Sequence, residues 1–259
     1  MTPDPKQHSQ ERFGRFAQTY VQSSGHAKGY ELDRLLELAA PQPGWLALDV
    51  ATGGGHTALK LAPHVARVVA SDLTPAMLEA ARAHIAPQAE NVRFSAADAE
   101  ALPFAAATFD LVTCRIAPHH FPDLFQFVRE CARVLKAGGG LIVQDLTVPD
   151  DERAARYVDS FERLRDPSHL RMAAPYEWEG LFLDAGLTVD TVELHRRPAT
   201  MEDWARQQAC SADIIERLHI MLAQAPDAVR EWLALQHAGT PAAQFDHVYV
   251  LIAGTKPEA

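Results

Sequence analysis

Three carboxylates and a run of glycines carry the chemistry legible in this chain. Between Leu46 and Leu61 the sequence reads LALDVATGGGHTALKL. Leu46 to Val50 is an apolar run of strand length, with Asp49 near its end. Gly53-Gly54-Gly55 follows as a turn, and His56-Thr57-Ala58-Leu59 opens a helical pattern. A strand, a tight glycine turn and a helix N-terminus let backbone approach a ligand closely. A carboxylate beside such a loop repels phosphate and welcomes an amine or a hydroxyl. The loop therefore suits a nucleoside that carries an amino acid.

The glycines alone do not decide the ligand. Ordinary turns join many strands to helices. Gly53-x-Gly55-x-x-Ala58 also satisfies the loose dinucleotide fingerprint, which makes a nicotinamide-dependent oxidoreductase the rival enzyme. A catalytically silent binding protein is the rival outside enzymology. Context separates the ligands. A second apolar run, Arg67 to Ser71, ends in Asp72, roughly 20 residues after the loop, where a Rossmann-like unit binds ribose hydroxyls. Both nucleotide readings predict Asp72. Only a donor with an adenosine and an amino-acid part, S-adenosylmethionine, also explains Asp49 and Asp98. Asp98 follows the strand-like run Val92 to Ser95 and is placed to accept from an adenine amino group.

The stretches DVATGGGH, VVASDLTPAMLEAAR, NVRFSAADAEALPF, FDLVTCRIAPHHF and RVLKAGGGLIVQD, in this order, resemble successive motifs of the class I S-adenosylmethionine-dependent methyltransferases. The branch is similar to the ubiquinone/menaquinone-biosynthesis C-methyltransferases, within the methyltransferase type 11 domain. The motifs span about residues 44–146, and a looser likeness, including Arg165-Asp166-Pro167-Ser168-His169, runs to the C-terminus. The general motif has glycine where this chain has Ala51, as the quinone-methylating branch also has alanine. The resemblance implies that Asp49, Ala51, Gly53 and Gly55 meet the methionine part and Asp72 the ribose. Leu73 and Met77 pack near the adenine, Asp98 and Ala99 take its edge, and Arg115 touches donor or acceptor. Tyr20, Thr52, His56 and Thr57 are implied as further donor contacts.

Composition narrows the partners. The chain has 259 residues, 47% of them hydrophobic, enough for one sizeable core. A net charge of -10, with no basic cluster, argues against a nucleic-acid partner, because phosphate contacts require Lys or Arg. Cys114, Cys131 and Cys210 are widely spaced, fit reduced thiols and form no metal-ligand pattern. The polar N-terminus has no signal-peptide core, and no run reaches membrane-span length, so a cytoplasmic protein without integral membrane association is expected. The expected partner is a small-molecule acceptor; oligomeric state is left open.

The elements that must position these residues alternate. Strands are predicted near 46–50, 67–71, 92–95, 110–114 and 140–146, with helices near 56–62, 75–86 and 122–136. Thr74 reads as a helix N-cap with Pro75 at the first helical position, Pro122 as the start of the next helix, and Gly138-Gly139-Gly140 as its end. Helices near 150–164 and 175–185, a strand near 187–194, two or three amphipathic helices over 200–237 and a strand from 245 to 253 follow. Alternation implies a parallel sheet with crossovers. The resemblance makes the fold class α/β, a Rossmann-like seven-stranded sheet in the order 3-2-1-4-5-7-6. The last strand is antiparallel and helices cover both faces. Residues 1–40 are read as an N-terminal helical cap, with residues 1–10 disordered and a break at Ser23-Ser24-Gly25. Residues 41–259 form the methyltransferase domain, with a helical lid inserted at about 195–243. Phe13, Phe16, Ala17 and Tyr20 recur at helical spacing, either folding over the donor or stapling the helix to the core.

Methyl transfer from a sulfonium is a direct displacement, so the protein mainly aligns its reactants and can add a base. His119 and His120 follow the fourth strand, and His169 lies in the Arg-Asp-Pro-Ser-His segment; these are the candidate bases, each with a structural alternative. Arg165 and Asp166 contact the acceptor or pair with each other to tie a loop, and Gln144 and Asp145 are placed to line the cleft. His56 shapes a helix start and has no ligand partners near it in sequence. Tyr157, Phe161, Leu164, Trp204, Ile214 and Leu218 suit a hydrophobic acceptor or only pack the lid.

Overall fold

β1 (Leu46–Val50) is apolar almost throughout because it is central in a parallel sheet and covered on both faces. It pairs with β2 (Arg67–Asp72) and with β4 (Phe109–Arg115), and β3 (Val92–Ala96) closes one edge. β5 (Leu135–Leu146) lies beyond β4, followed by β7 (Gln244–Thr255) and the edge strand β6 (Thr191–Thr200). The order is β3-β2-β1-β4-β5-β7-β6, and β7 runs antiparallel to both neighbours. This is the expected topology. The computed structural model describes residues 4–22 and 30–258; within the first helix the side chains of Phe16, Gln18, Thr19, Tyr20 and Gln22 are not described. The expected break at Ser23-Ser24-Gly25 lies outside the described residues.

Helices wrap both faces. α2 (Tyr30–Ala39) and α3 (His56–Leu61) cover one core, with Leu35, Ala58, Leu61, Ile142 and Leu251 buried together. α4 (Pro75–Ile85) flanks β2 and β3. α5 (Leu124–Val134) and α7 (Pro175–Asp184) cover the other face, where Phe109, Phe127, Trp178 and Phe182 are fully buried. A separate core forms under α6 (Glu152–Arg165), α8 (Met201–Gln207), α9 (Ala212–Ala223) and α10 (Asp227–Trp232). Asp151, Thr200 and Ser211 start three of these helices, each accepting from the backbone N–H three residues on. No helix among the described residues is long and apolar enough to cross a membrane.

Several local expectations are corrected. α1 (Pro5–Gln22) is helical from Pro5, so residues 5–10 are ordered where the polar sequence read as disordered. Asp4 supports its start by accepting from the Lys6 backbone N–H, and α1 packs along α4. The triple glycine does not end α5. That helix stops at Val134, and Gly138-Gly139-Gly140 lies inside β5 as an irregularity, where Phe109 pairs with Leu135 but Leu111 with Gly140. Glycine is favoured at 139, because a Cβ there would sit a tight 3.0 Å from the Asp110 and Lys136 carbonyls. α5 begins at Leu124, capped by Asp123, and Pro122 precedes it. Thr74 holds the N-cap position of α4 without a side-chain cap; its backbone N–H donates to Asp72 instead. β6 runs to Thr200, so residues 195–200 belong to the sheet and the inserted helices begin at Met201.

Candidate functional site

The carboxyl ends of β1, β2, β3 and β4 open onto one cleft of about 1040 Å³, mouth included. Crossover topology places these ends side by side, which is where open α/β sheets bind ligands. Asp49 forms part of the floor and is fully buried. Its carboxylate accepts from Thr52 Oγ1 (2.6 Å) and Thr113 Oγ1 (2.8 Å). Burial pushes its pKa up to about 6, against the opposing pull of those hydroxyls and the Arg115 charge. Arg115 donates to Thr57 Oγ1 at 3.1 Å, and burial holds its guanidinium below its ordinary pKa despite the nearby Asp49.

The loop after β1 turns through three left-handed residues, Ala51 (φ 51°), Gly53 (φ 53°) and Gly55 (φ 83°). Ala51 departs from glycine at a position where glycine is conformationally cheapest, a strain of about 1–2 kcal/mol. Asp72 fastens this loop: one oxygen accepts from Gly53 N–H (3.0 Å), the other from Thr74 N–H (2.8 Å). Burial raises the Asp72 pKa, and those hydrogen bonds oppose the rise. His84 Nδ1 lies 2.8 Å from the Gly54 carbonyl, and its ring meets His56 edge-on.

Asp49, Ala51, Thr52, Gly53, His56, Thr57, Asp72, Leu73, Met77, Asp98, Ala99 and Arg115 all line the cleft. Gly55 does not. It is buried against α4, where a Cβ would lie 2.5 Å from Ile85 Cδ1 at a φ of 83°, so its role is to let loop and helix meet. The Tyr20 and Phe16 side chains lie outside the described part of the structure. Phe13 reaches the cleft, whereas Ala17 packs beside Met77 and Ala80.

The three histidines separate. Only His120 lines the cleft. Its Nδ1 lies 2.9 Å from the Ser168 carbonyl. A carbonyl can only accept, so Nδ1 carries the hydrogen and a neutral ring keeps its lone pair on Nε2. Burial and the adjacent His119 hold the His120 pKa well below the usual histidine range, opposed by Asp166 and the Ser168 carbonyl. His119 turns away from the cleft, its Nδ1 2.6 Å from Asp145 Oδ1, while its backbone N–H donates to Asp145 Oδ2. Burial pulls the His119 pKa down, but the Asp145 charge and hydrogen bond outweigh it and the net shift is upward. His169 is buried against Asp159 at 2.8 Å. His119 and His169 thus hold loops together.

Other acceptor-side expectations resolve into packing. Asp145 serves His119, and Gln144 is fully buried off the cleft. Arg165 and Asp166 do not pair with each other. Arg165 lies 4.4 Å over the Trp204 ring and donates to its carbonyl, while Asp166 pairs with Arg12 of α1 at 2.9 Å. Phe161, Trp204 and Leu218 are buried in the core under the inserted helices, with Tyr157, Leu164 and Ile214 packed against it. None of the six lines the cleft.

The sequence offered α1 as a cap over the donor or a staple to the core, and it missed the polar residues of the wall this helix makes. Lys6, Ser9 and Phe13 face the cleft. Lys6 Nζ is 2.6 Å from Asp98 Oδ2 and also pairs with Glu100, and Gln10 donates to the Leu73 carbonyl. A polar, Gln- and Lys-rich opening carries little hydrophobic signal, so only the recurrence of Phe13 and Ala17 pointed to this helix.

A profile described as "Methyltransferase domain" matches residues 48–143. An uncharacterized methyltransferase of Bacillus subtilis, YcgJ, is 34% identical over 247 residues, covering 94% of this chain and 97% of the relative. Its crystal structure superposes with a TM-score of 0.85 over 89% of this chain and 99% of that one. A putative methyltransferase structure from Bacillus halodurans gives 0.85 at 33% identity, covering 89% and 100%. A demethylmenaquinone methyltransferase of Deinococcus radiodurans is 37% identical over 154 residues, covering 56% of this chain and 63% of its own length.

Proposed function

The chain belongs to the class I S-adenosylmethionine-dependent methyltransferases, and from that premise we propose that its cleft binds the donor through three strand-end acids and delivers the methyl group to a small-molecule acceptor near His120. The observation that carries the proposal is the convergence of Asp49, Asp72 and Asp98, from the ends of three strands, on one cleft. The donor fits these residues. Asp49 suits an ammonium group, Asp72 suits vicinal hydroxyls, and Asp98 suits an exocyclic amine. Gly53 lines the cleft with a left-handed φ of 53°, which glycine adopts at least cost, and a Cβ there would make only ordinary contact with the Met77 methyl at 3.5 Å. Three carboxylates make the same cleft a poor place for a pyrophosphate, which disfavours the nicotinamide reading.

When bound, the donor supplies a methyl group already activated on sulfur. Arg115 and Asp49 then fix the amino-acid end, and Met77 and Leu73 pack the base. His120, with Nδ1–H held by Ser168, offers Nε2 to the acceptor. A pKa well below 6.5 keeps that nitrogen unprotonated at neutral pH. It makes the ring a weak base that orients an acceptor and takes its proton as the new bond forms. The three acids with the α1 wall define the donor half, and His120 marks the acceptor side of the same cleft.

Calorimetric titration tests the donor assignment. S-adenosylhomocysteine should bind with one site per chain, and NADH should give no heat. The reverse result rejects the proposal. Formation of S-adenosylhomocysteine on incubation with donor and a panel of small hydroxyl, amine and activated-carbon acceptors identifies the acceptor class. Donor binding with no turnover on any panel member would instead support a silent binding protein.

A further inference from the structure

One polar atom on the cleft wall has no use in the protein itself. Ser9 lies in the second turn of α1, is 9% exposed and lines the cleft, yet among the described residues its hydroxyl has no hydrogen-bond partner. A serine inside a helix usually turns its hydroxyl back to the carbonyl four residues earlier or out to water. Ser9 does neither. A buried hydroxyl left unpaired is unfavourable, and such groups in native proteins call for a partner that the protein does not supply.

The neighbours say which part of the cleft Ser9 faces. One turn before it, Lys6 is held by Asp98 and Glu100. The next residue, Gln10, donates to the Leu73 carbonyl. One turn after it, the Phe13 ring meets His120 edge-on, with centroids 4.8 Å apart. Ser9 therefore stands between the Asp98–Leu73 end of the cleft and the His120 end. On the donor reading above, on which this inference rests, that is the span of the nucleoside. We propose that Ser9 is a donor-binding residue whose hydroxyl hydrogen-bonds the nucleoside half of the ligand, and that α1 thereby forms a third wall of the site rather than a passive cover.

The proposal separates ligand binding from stability by sign. Alanine is the better helix former, and Ser9→Ala removes an unsatisfied buried group. The ligand-free variant should thus melt at the same temperature as the wild type or higher. Its affinity for S-adenosylhomocysteine should fall about three- to ten-fold, the worth of one neutral hydrogen bond. 5′-Methylthioadenosine, which lacks the amino-acid part, should lose the same factor, read by displacement of S-adenosylhomocysteine. Unchanged affinity in the variant overturns the proposal. A lower melting temperature with a matching loss of affinity overturns it too, because the hydroxyl would then be structural. A loss confined to S-adenosylhomocysteine, or no displacement by methylthioadenosine from the wild type, overturns the nucleoside assignment. Failure of the wild type to bind S-adenosylhomocysteine rejects the donor reading itself, a distinct result.

Discussion

The donor side of the cleft and the core beneath the inserted helices are built from different materials. At the strand ends on the donor side the contacts are short, and most are local. Asp72 accepts from Gly53 and Thr74, and Asp49 from Thr52, all within a turn of a strand end or between adjacent strands. The lid core depends on side chains brought from far apart. Trp204 of α8 stacks on Phe161 of α6 at 4.8 Å and meets Phe245 of β7 at 5.0 Å, while Arg165 lies over its face. Glu162 of α6 sits 3.6 Å from His247 of β7. Burial pushes the Glu162 pKa up, but His247 and Arg165 more than offset this and lower it. One region presents polar groups to a ligand; the other spends its polar groups on itself. The strand-end acids thus rest on short-range geometry, whereas the core under the inserted helices rests on side chains of distant segments.

The two regions should part most at Trp204. Trp204→Ala should lower stability by about 3–5 kcal/mol, the cost of emptying an aromatic core site, as read by denaturant unfolding. Donor affinity, measured where the variant is still folded, should stay within about two-fold. Parallel loss of both would mean that the two regions form one energetic unit. On the donor side, Gly55→Ala should be worse than Gly53→Ala. The first meets Ile85 at 2.5 Å and the second only Met77 at 3.5 Å, though both need a left-handed backbone. A melting-temperature series ranks them, with overpacking adding about 1–3 kcal/mol at residue 55. Equal losses would show that strain, and not contact with α4, dominates.

Asp72→Asn should weaken S-adenosylhomocysteine binding by about 1.5–3 kcal/mol, the worth of hydrogen bonds to a charged group. Calorimetry on the folded variant decides this, and an unchanged dissociation constant removes Asp72 from the site. A smaller effect concerns Asp49, whose pKa in the free protein is about 6. Below that pH the carboxyl is protonated and loses its attraction for the ligand ammonium. Donor affinity should therefore fall as pH drops through about 6, and Asp49→Asn should abolish the dependence.

Two adjacent histidines respond to pH in opposite directions. His119 has a raised pKa, so the folded state holds the extra proton. Its contribution to stability is present below pH 6.5 and is lost as pH rises through the folded value. His120 has a lowered pKa, so the unfolded state binds the proton more readily. Stability falls as pH drops below 6.5 on its account. His119→Gln should flatten the alkaline limb of the stability profile and His120→Gln the acid limb. In turnover the pair should part again. His120→Gln lowers kcat by about 10²-fold, within the usual range for general acid–base catalysis, with donor affinity unchanged. The same kcat loss in His119→Gln alone would move the catalytic role to the wrong ring.

Much of the donor half was legible in the chain: spacing placed the glycine loop and the three acids at strand ends, and the resemblance supplied the strand order. The physical reason is local. Right-handed crossovers bring successive strand ends to one edge of the sheet, so a residue placed just after a strand is already at the site. Spacing along the chain then stands in for geometry. Where a residue's fate depends on distant partners, spacing says nothing. Gly55 looked like a ligand contact and serves α4 packing. The glycine triplet looked like a helix end and lies within β5. His119 and His120 are neighbours of one type, and only the positions of Asp145 and Ser168, 26 and 48 residues away, send one inward and leave the other at the cleft. The polar start of α1 became a wall because Lys6 finds Asp98 and Gln10 finds Leu73 across a separation of 92 and 63 residues. Tertiary structure decided these points because such contacts are made only after the sheet has brought remote segments together.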